Sequence, residues 1–284
     1  MPELPEVETV RRGLEAVTLA QPIVGVEVLL ARAIAFPEQP QAFIDHLRDR
    51  AFEQWQRRGK YLLATLDDGS RLVIHLRMSG QLLWLTTPSP PCSHTRVRWF
   101  FATGAELRFV DQRTFGRCWW ISPHCPPEQA IPPLATLAPE PLSEAFTVEV
   151  LAKRLGHSRR ALKTALLDQT VVAGMGNIYA DESLFLSGLH PALPAHTLTP
   201  AQIARLHRVI RQVLREGIAA GGTTIRTFVT PQGINGHYGG KAWVYGRKGE
   251  ACRLCGTTIE RLRLAGRSSH YCPRCQPLSW AMGK

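Results

Sequence analysis

The chain has 284 residues, of which 44% are hydrophobic and 20% are charged, so it can bury a sizeable core and has room for two domains. No apolar run approaches the roughly 18 residues of a membrane-spanning helix, which excludes a protein anchored by such a helix. The N-terminus carries Glu3, Glu6 and Glu8 and no apolar segment, so we expect no signal peptide and a cytoplasmic location.

A helix and then a series of strands are predicted in the first half. Val7, Val10, Leu14 and Val17 recur at spacings of three, four and three, which predicts one apolar helix face over residues 5–17. Hydrophobic segments alternating with turn residues then favour a β-sandwich or barrel, with one helix around residues 41–49. Examples of the predicted strands are residues 23–29, 61–66, 72–77, 96–102, 106–110 and 118–121.

Prolines mark the transition to the second half. Seven of them fall between residues 123 and 141, too many for a helix or a central strand, so residues 123–146 are predicted to be a linker after a first domain at 1–122. Further on, a Gly- and Thr-rich stretch at residues 221–240 is predicted to be a long flexible loop. The predicted helices of the second half cover residues 147–155, 160–168, 177–187 and 200–216.

The excess positive charge also lies in the second half. The formal net charge is +11 at pH 7. Residues 1–146 carry 15 basic and 16 acidic side chains, a net of −1, whereas residues 147–284 carry 19 and 7, a net of +12. This distribution favours a second half that binds a phosphate backbone, with a soluble basic protein lacking any such partner as the alternative.

Four cysteines near the C-terminus form the strongest single motif. Cys252-x2-Cys255 and Cys272-x2-Cys275 are separated by sixteen residues. This spacing predicts a tetrahedral Zn²⁺ site, and four sulfur ligands leave no position for water, so the metal is structural. The arginines beside the cysteines favour binding to nucleic acid, although zinc ribbons also bind proteins.

The N-terminal residues offer a nucleophile. Removal of Met1 before the small residue Pro2 would leave a secondary amine, and α-amino groups have a pKa of about 7.7–8.0, well below that of lysine. Attack of this amine on a sugar carbon gives an iminium, and Glu3 beside it could protonate the leaving sugar oxygen. The alternative is that Pro2 and Pro5 only shape the start of a helix.

Seven further motifs occur along the chain, in addition to the cysteine knuckles. They are residues 2–10 (PELPEVETV), 57–63 (RRGKYLL), 75–80 (HLRMSG), 111–116 (DQRTFG), 174–182 (GMGNIYADE), 221–224 (GGTT) and 244–247 (VYGR). In this order they resemble the bacterial formamidopyrimidine-DNA glycosylases, also called 8-oxoguanine DNA glycosylases. The resemblance spans almost the whole chain. One departure is Thr227 after Arg226, where many relatives carry Asp in the loop expected to close over the damaged base.

The resemblance implies an α+β fold with DNA crossing a cleft between two domains. An N-terminal helix and β-sandwich at residues 1–122 would precede a helix–two-turn–helix domain at 147–240 and a four-cysteine zinc-ribbon hairpin at 241–284. We expect one structural Zn²⁺, a monomer, and double-stranded DNA with oxidised bases as the partner. No membrane is involved, and the expected location is the cytoplasm in association with the nucleoid.

The resemblance also assigns residues to the chemistry. Pro2 would attack C1′ of the damaged nucleotide, and Glu3 would assist opening of the sugar ring. Glu6 would support the site, Lys60 would contact phosphate near the lesion, and Arg267 would hold the phosphate beside it.

Other residues are assigned to DNA binding. Met78, Arg113 and Phe115 would fill the gap left by the everted base, with Arg113 paired to the orphaned cytosine and Phe115 as a wedge. Filling the gap lowers the cost of unstacking, which is roughly a few kcal/mol. The remaining DNA-binding candidates are His94, Lys163, Asn177 and Tyr245, of which Asn177 and Tyr245 would contact phosphate.

These assignments predict a bifunctional DNA glycosylase and abasic-site lyase for 8-oxoguanine and formamidopyrimidines, acting through an iminium on Pro2 and β,δ-elimination. One alternative is an endonuclease VIII-like enzyme for oxidised pyrimidines, which Leu4 and the Arg113 and Phe115 wedge disfavour. A second is a non-catalytic protein that binds lesion DNA on the same scaffold. The presence of Pro2 and Glu3, together with Lys60, argues against it.

Overall fold

The computed structural model describes residues 1–87, 89–223 and 238–278. The chain divides into two compact units. The first contains Met1–Ala135 and Ala220–His237, and the second contains Thr136–Ala219 and Tyr238–Lys284. The boundary after Ala135 falls inside the segment predicted to be a linker.

The first unit is an N-terminal helix on a β-sandwich. Its helices are α1 (Leu4–Thr18), α2 (Pro40–Leu47), α3 (Pro127–Ala130) and α4 (Pro132–Ala135). Its strands are β1 (Ile23–Val28), β2 (Ile34–Phe36), β3 (Phe52–Arg58), β4 (Tyr61–Leu66), β5 (Arg71–His75), β6 (Gly80–Leu85), β7 (Thr95–Phe101), β8 (Glu106–Asp111) and β9 (Arg117–Ile121). Among the described residues, one sheet has the order β2-β9-β5-β4-β3 and the other β1-β7-β8-β6. All neighbouring strands are antiparallel except β2 and β9.

One hydrophobic core joins the two sheets and α1. Strand β7 alternates buried and half-buried residues, so that Val97 and Trp99 point into the core. Trp55 of β3, on the other sheet, belongs to the same buried cluster, as do Val7, Val10 and Leu14 of α1. The predicted β-sandwich with an N-terminal helix is therefore confirmed.

Three strands lie outside the segments named as examples of predicted strands, and the reasons are local. Strand β2 has three residues, β6 begins with a glycine, and β3 has a register shift between Phe52 and Gln54 that breaks its alternation. The prediction that the prolines exclude helices was wrong. Helices α3 and α4 each begin at a proline, where the missing N–H has no partner to lose.

The second unit is helical and ends in a hairpin. Its helices are α5 (Val148–Gly156), α6 (Leu162–Leu166), α7 (Asn177–Ser187) and α8 (Pro200–Ala219), and its strands are β10 (Glu260–Leu264) and β11 (Arg267–Tyr271). Helix α7 is buried on nearly all sides because it packs against both α8 and β11. Helix α6 is shorter than predicted.

Most of the predicted loop at residues 221–240 lies outside the described residues, and so does Thr227. Its two ends are described. Gly221 and Gly222 have positive φ angles, and Tyr238–Lys241 forms a turn of 3-10 helix. Across the described residues, no helix combines the length and the apolar character that crossing a bilayer requires.

Candidate functional site

The N-terminal residues are held at the start of α1. Glu3 precedes the helix and is 2% exposed, and Pro2 before it is also buried. The Glu3 backbone N–H donates to Oε2 of Glu6 at 2.9 Å. A carboxylate in the first helical turn is stabilised by the unpaired N–H groups and the helix dipole. Glu6 therefore fixes the backbone on which Pro2 and Glu3 are mounted.

Glu6 also holds the start of the Gly- and Thr-rich segment. Its Oε1 accepts hydrogen bonds from the Thr223 backbone N–H at 2.8 Å and from the Thr223 hydroxyl at 3.0 Å. Gly222 has a φ of +81°, and a Cβ atom there would lie 2.9 Å from Oε1 of Glu6. A side chain at that position would break this contact, so the glycine is required.

Lys60 lies in the tight turn between β3 and β4 and is 8% exposed. The preceding Gly59 has a φ of 56°. Arg57 clamps this turn, because its guanidinium donates to the Gly59 carbonyl at 3.1 Å and to Oε2 of Glu8 at 3.2 Å. Burial alone would raise the pKa of Glu8, but hydrogen bonds from Arg11 and Arg12 lower it overall. Helix α1 packs on β3 and β4, the strands that flank Lys60.

His75, which had no predicted role, is a buried neighbour of Lys60. Its Nδ1 accepts from the Arg77 backbone N–H at 3.0 Å, and its ring contacts Tyr61 edge-on at 4.5 Å. Burial, with the positive charges of Arg77 and Lys60, lowers the pKa of His75 from 6.5 to about 3. A neutral imidazole therefore stands beside the Lys60 turn throughout the physiological pH range.

The buried His75 should make folding acid-sensitive. The unfolded chain takes up a proton on this residue below about pH 6.5, whereas the folded chain does so only near pH 3. Stability from neutral His75 is thus complete above pH 6.5 and is lost as the pH falls toward 3. We expect His75→Asn to flatten the pH dependence of the unfolding free energy over this window by about 1.4 kcal/mol per pH unit.

Urea unfolding between pH 4.5 and 7.5 measures this effect, with exposed His124→Asn as the matched control. Equal slopes for the wild type and His75→Asn would contradict the assignment.

The predicted gap-filling residues lie on two neighbouring loops at one end of the β6–β8 pair. Phe115 is 48% exposed, although it is a large hydrophobic side chain. The Arg113 guanidinium carbon lies 4.9 Å from the centre of its ring, and Arg113 is also exposed. Met78, on the loop before β6, is half-buried. An exposed aromatic ring backed by a cation suits insertion into a base stack.

His94, another predicted DNA contact, precedes β7 and is half-buried. Its carbonyl accepts from the Asp111 backbone N–H at 2.9 Å, and its Nδ1 lies 3.4 Å from the Arg96 guanidinium. The structure therefore places His94 beside the loop that carries Arg113 and Phe115.

In the second unit, Asn177 is the first residue of α7. Its side-chain oxygen is buried and has no hydrogen-bond partner within the described parts of the chain. The helix N-terminus adds unpaired backbone N–H groups and the positive end of a dipole. The Asn177 oxygen can only accept, so a contact with a DNA phosphate would come from its side-chain N–H₂ group and from these backbone N–H groups.

Lys163, another predicted DNA-binding residue, lies in the interior of the second unit. Its side chain is 0% exposed, and its Nζ pairs with Oδ1 of Asp181 at 2.7 Å and donates to the Ser268 carbonyl at 2.6 Å. Lys163 therefore ties α6 to α7 and to the C-terminal hairpin, and its direct contact with DNA stays a prediction.

Two adjacent carboxylates of α7 hold the elements that carry Arg267 and Tyr245. Asp181 accepts from the Ser269 hydroxyl at 3.0 Å and the His270 backbone N–H at 2.9 Å, both on β11. Glu182 accepts from the consecutive N–H groups of residues 243, 244 and 245 at 2.7–3.0 Å. Burial raises the pKa of Glu182, and these three donors oppose that rise.

Arg267 and Tyr245 themselves remain accessible. Arg267 begins β11 and is exposed, and Tyr245 is half-buried with its ring 5.2 Å from that of His270. The hairpin turn of Ala265 and Gly266 has two positive φ angles, typical of a tight two-residue turn. Both predicted phosphate contacts therefore stand on elements fixed by α7.

The four cysteines at the hairpin are brought together as predicted. Their sulfur atoms all lie within 4.8 Å of one another. The distance is 3.9 Å from Cys252 to Cys275 and 3.4 Å from Cys255 to Cys272. A tetrahedral Zn²⁺ with bonds of about 2.3 Å requires sulfurs about 3.8 Å apart. The residues therefore fit one zinc ion.

Burial and hydrogen bonding shift the pKa values of three of these cysteines. Burial raises the pKa of Cys272 and of Cys275, while hydrogen bonding to Thr257 lowers the pKa of Cys255 to about 6. Sulfurs this close together could all be thiolates only with a cation between them, since four negative charges would otherwise repel one another. Zn²⁺ would be that cation and would join the hairpin to the preceding loop without taking part in the reaction.

Comparison with known families and proteins agrees with this geometry. Residues 1–118 match the formamidopyrimidine-DNA glycosylase N-terminal domain, residues 137–229 the H2TH domain of the same glycosylase, and residues 249–278 the zinc finger found in FPG and IleRS. The chain belongs to the formamidopyrimidine-DNA glycosylase family. It is therefore a zinc-finger DNA glycosylase of DNA repair, and it binds DNA.

Individual relatives of this family extend over the whole chain. The formamidopyrimidine-DNA glycosylases of Thermosynechococcus vestitus and Synechococcus elongatus are 84% and 83% identical over 284 residues and are fully covered. The crystal structure of the Thermus thermophilus protein is 40% identical, with a TM-score of 0.87, 98% of this chain covered and 100% of that one. The Lactococcus lactis protein in complex with DNA containing an abasic site is 36% identical, with a TM-score of 0.88 and coverages of 96% and 99%.

Proposed function

We propose that this glycosylase excises oxidised purines, 8-oxoguanine and formamidopyrimidines, and then cleaves the abasic site through a covalent intermediate on Pro2. The observation that carries the proposal is the buried N-terminal segment, in which Glu6 holds the backbone of Glu3 at the start of α1. A nucleophilic amine and an adjacent acid are thereby fixed on one short, rigid element. Lys60, in its clamped turn, would contact phosphate near the lesion.

The reaction begins once Met1 has been removed. The Pro2 nitrogen attacks C1′ of the damaged nucleotide, the glycosidic bond breaks, and the base leaves with a proton. Glu3 protonates the ring oxygen, which opens the sugar and leaves a cationic C1′–nitrogen double bond. This iminium accepts electrons as the 2′ proton is lost, so the 3′ phosphate leaves by β-elimination. Loss of the 4′ proton then expels the 5′ phosphate by δ-elimination, which leaves a one-nucleotide gap. Water finally hydrolyses the iminium, which releases the unsaturated sugar fragment as an aldehyde and restores the Pro2 amine.

Eversion of the damaged base would leave a vacancy in the duplex. Met78, Arg113 and Phe115 are proposed to fill it, since their loops adjoin and two of these side chains are exposed. Arg113 would pair with the orphaned cytosine, which favours purine lesions opposite cytosine.

The second unit is proposed to bind the DNA backbone, in keeping with its positive charge. Asn177, Tyr245 and Arg267 would each contact phosphate, with Arg267 beside the lesion. The protein is proposed to act as a monomer on nucleoid DNA in the cytoplasm.

Borohydride trapping tests the covalent step. Reduction of the iminium should give a stable protein–DNA adduct on an 8-oxoguanine:cytosine duplex, and peptide mapping should locate it at Pro2. The matched control is the same protein with Met1 retained, verified by intact mass, because its Pro2 nitrogen is a peptide nitrogen and should give no adduct. Equal trapping by both forms would rule out the N-terminal nucleophile.

The class of lesion is tested separately by comparing single-turnover excision of 8-oxoguanine and thymine glycol. Faster excision of thymine glycol would overturn the choice of purines and leave the covalent chemistry intact.

A further inference from the structure

A single buried carboxylate, Asp111, joins the loops that carry the gap-filling residues. Asp111 ends β8, pairs with Gly80 at the start of β6, and is 1% exposed. Its Oδ1 accepts from the Ser79 hydroxyl and from the Arg113 backbone N–H at 3.2 Å. Its Oδ2 accepts from the Gly116 backbone N–H at 2.7 Å. The side chain thus spans both ends of the loop that presents Arg113 and Phe115.

Ser79 connects this loop to the one that carries Met78. Its hydroxyl donates to Asp111 and accepts from the Arg113 backbone N–H at 3.0 Å. Ser79 is 4% exposed and directly follows Met78 in the chain. Both loops are therefore fixed by the same pair of side chains.

The backbone of Asp111 brings in a third segment. Its N–H donates to the His94 carbonyl at 2.9 Å, and its carbonyl accepts from Nε of Arg96 at 2.8 Å. Three segments consequently meet at Asp111. They carry the predicted DNA contacts, which are Met78 on the first, His94 on the second, and Arg113 and Phe115 on the third.

Close packing and a second set of contacts leave this arrangement little freedom. A Cβ on Gly80 would lie 2.4 Å from the Leu76 carbonyl oxygen, and one on Gly116 would lie 2.3 Å from the Phe109 ring. Between Arg113 and Phe115, Thr114 adopts a φ of 58° and is held by Arg32 and by Arg117, whose guanidinium donates to its carbonyl at 3.1 Å.

We propose that Asp111 and Ser79 are positioning residues that preorganise the gap-filling side chains before DNA binds. The inference rests on the proposed function, because it assigns these loops the task of filling the vacancy left by the everted base. The two loops are already ordered when the duplex arrives, so DNA binding does not have to supply the free energy of ordering them. Asp111 and Ser79 should therefore be needed for excision from intact duplex. They should be dispensable for a substrate in which no base stack has to be opened.

The test compares substrates that differ in this requirement. Asp111→Asn replaces one acceptor oxygen by an N–H₂ group, which cannot accept the hydrogen bonds that the carboxylate accepts. Ser79→Ala removes the hydroxyl that links the two loops. The matched controls are Asp68→Asn and Ser70→Ala, because Ser70 is 0% exposed and its hydroxyl donates to Asp68 at 2.6 Å in the turn between β4 and β5. Each variant is assayed for 8-oxoguanine excision from duplex and for cleavage of an abasic site in single-stranded DNA.

We expect Asp111→Asn and Ser79→Ala to slow duplex excision at least tenfold and to change single-strand cleavage less than twofold. 2-Aminopurine next to the lesion, a fluorescent reporter of unstacking, should show a reduced fluorescence rise with these variants and a normal rise with the controls. Unchanged duplex excision, or equal losses on both substrates, would overturn the positioning role. If Asp111→Asn fails to fold, Ser79→Ala decides. A wild-type protein inactive on both substrates would instead refute the proposed function.

Discussion

Glu3→Gln is expected to slow base release from an 8-oxoguanine:cytosine duplex by about 10³-fold, while the affinity for that duplex changes less than threefold. General acid catalysis contributes roughly 10²–10⁴-fold to such steps. Glutamine keeps the shape of the side chain and its place before α1, where Glu3 is 2% exposed, but it has no acidic proton to deliver to the sugar oxygen. Single-turnover excision and fluorescence anisotropy measure the two quantities.

A second substrate separates the acid's role from general damage to the site. An abasic site already exists in part as the open aldehyde, so its cleavage does not require Glu3 to open the ring. Glu3→Gln should therefore lose much less activity on abasic DNA than on 8-oxoguanine. The matched control is Glu15→Gln on the same helix, which removes a carboxylate paired with Arg11 at 2.6 Å. Base release at the wild-type rate would remove Glu3 from the mechanism.

Local patterns carried most of what could be predicted from the sequence. The zinc ligands follow from two short spacings within one hairpin, and the strands with regular alternation, such as β4 and β7, were located to within about one residue. The resemblance supplied the residues assigned to chemistry, and the structure places Glu3 and Lys60 in buried, well-supported positions.

Long-range partners decided what could not be predicted. Lys163 resembles a surface lysine until Asp181 and the Ser268 carbonyl, 105 residues further along the chain, are brought against it. Asp111 lies inside a recognised motif, but only the pairing of β6 with β8 shows that its carboxylate reaches Ser79. The sequence contains these residues without indicating which of them touch.

The C-terminal hairpin has little core of its own, which makes its metal decisive. Its buried cluster consists mainly of Phe185, Val244 and Ile259 together with the cysteines. Structural zinc sites of this kind contribute roughly 10–16 kcal/mol to folding. The contacts between Asp181 and β11 form only when β11 is already folded. They therefore cannot replace the metal in folding the hairpin.

Removal of zinc should therefore abolish lesion binding. We expect Cys272→Ser, or exhaustive chelation, to weaken duplex affinity at least 100-fold, because Arg267 on β11 would no longer be presented to phosphate. Metal analysis should give one zinc per wild-type chain, and anisotropy gives the affinity. The control is Cys92→Ser, which alters an exposed cysteine outside the cluster.

The first unit has a separate core, so its His75-dependent acid transition should survive in the zinc-free protein. Full affinity after stoichiometric zinc loss would show that the hairpin folds without metal or does not contact DNA.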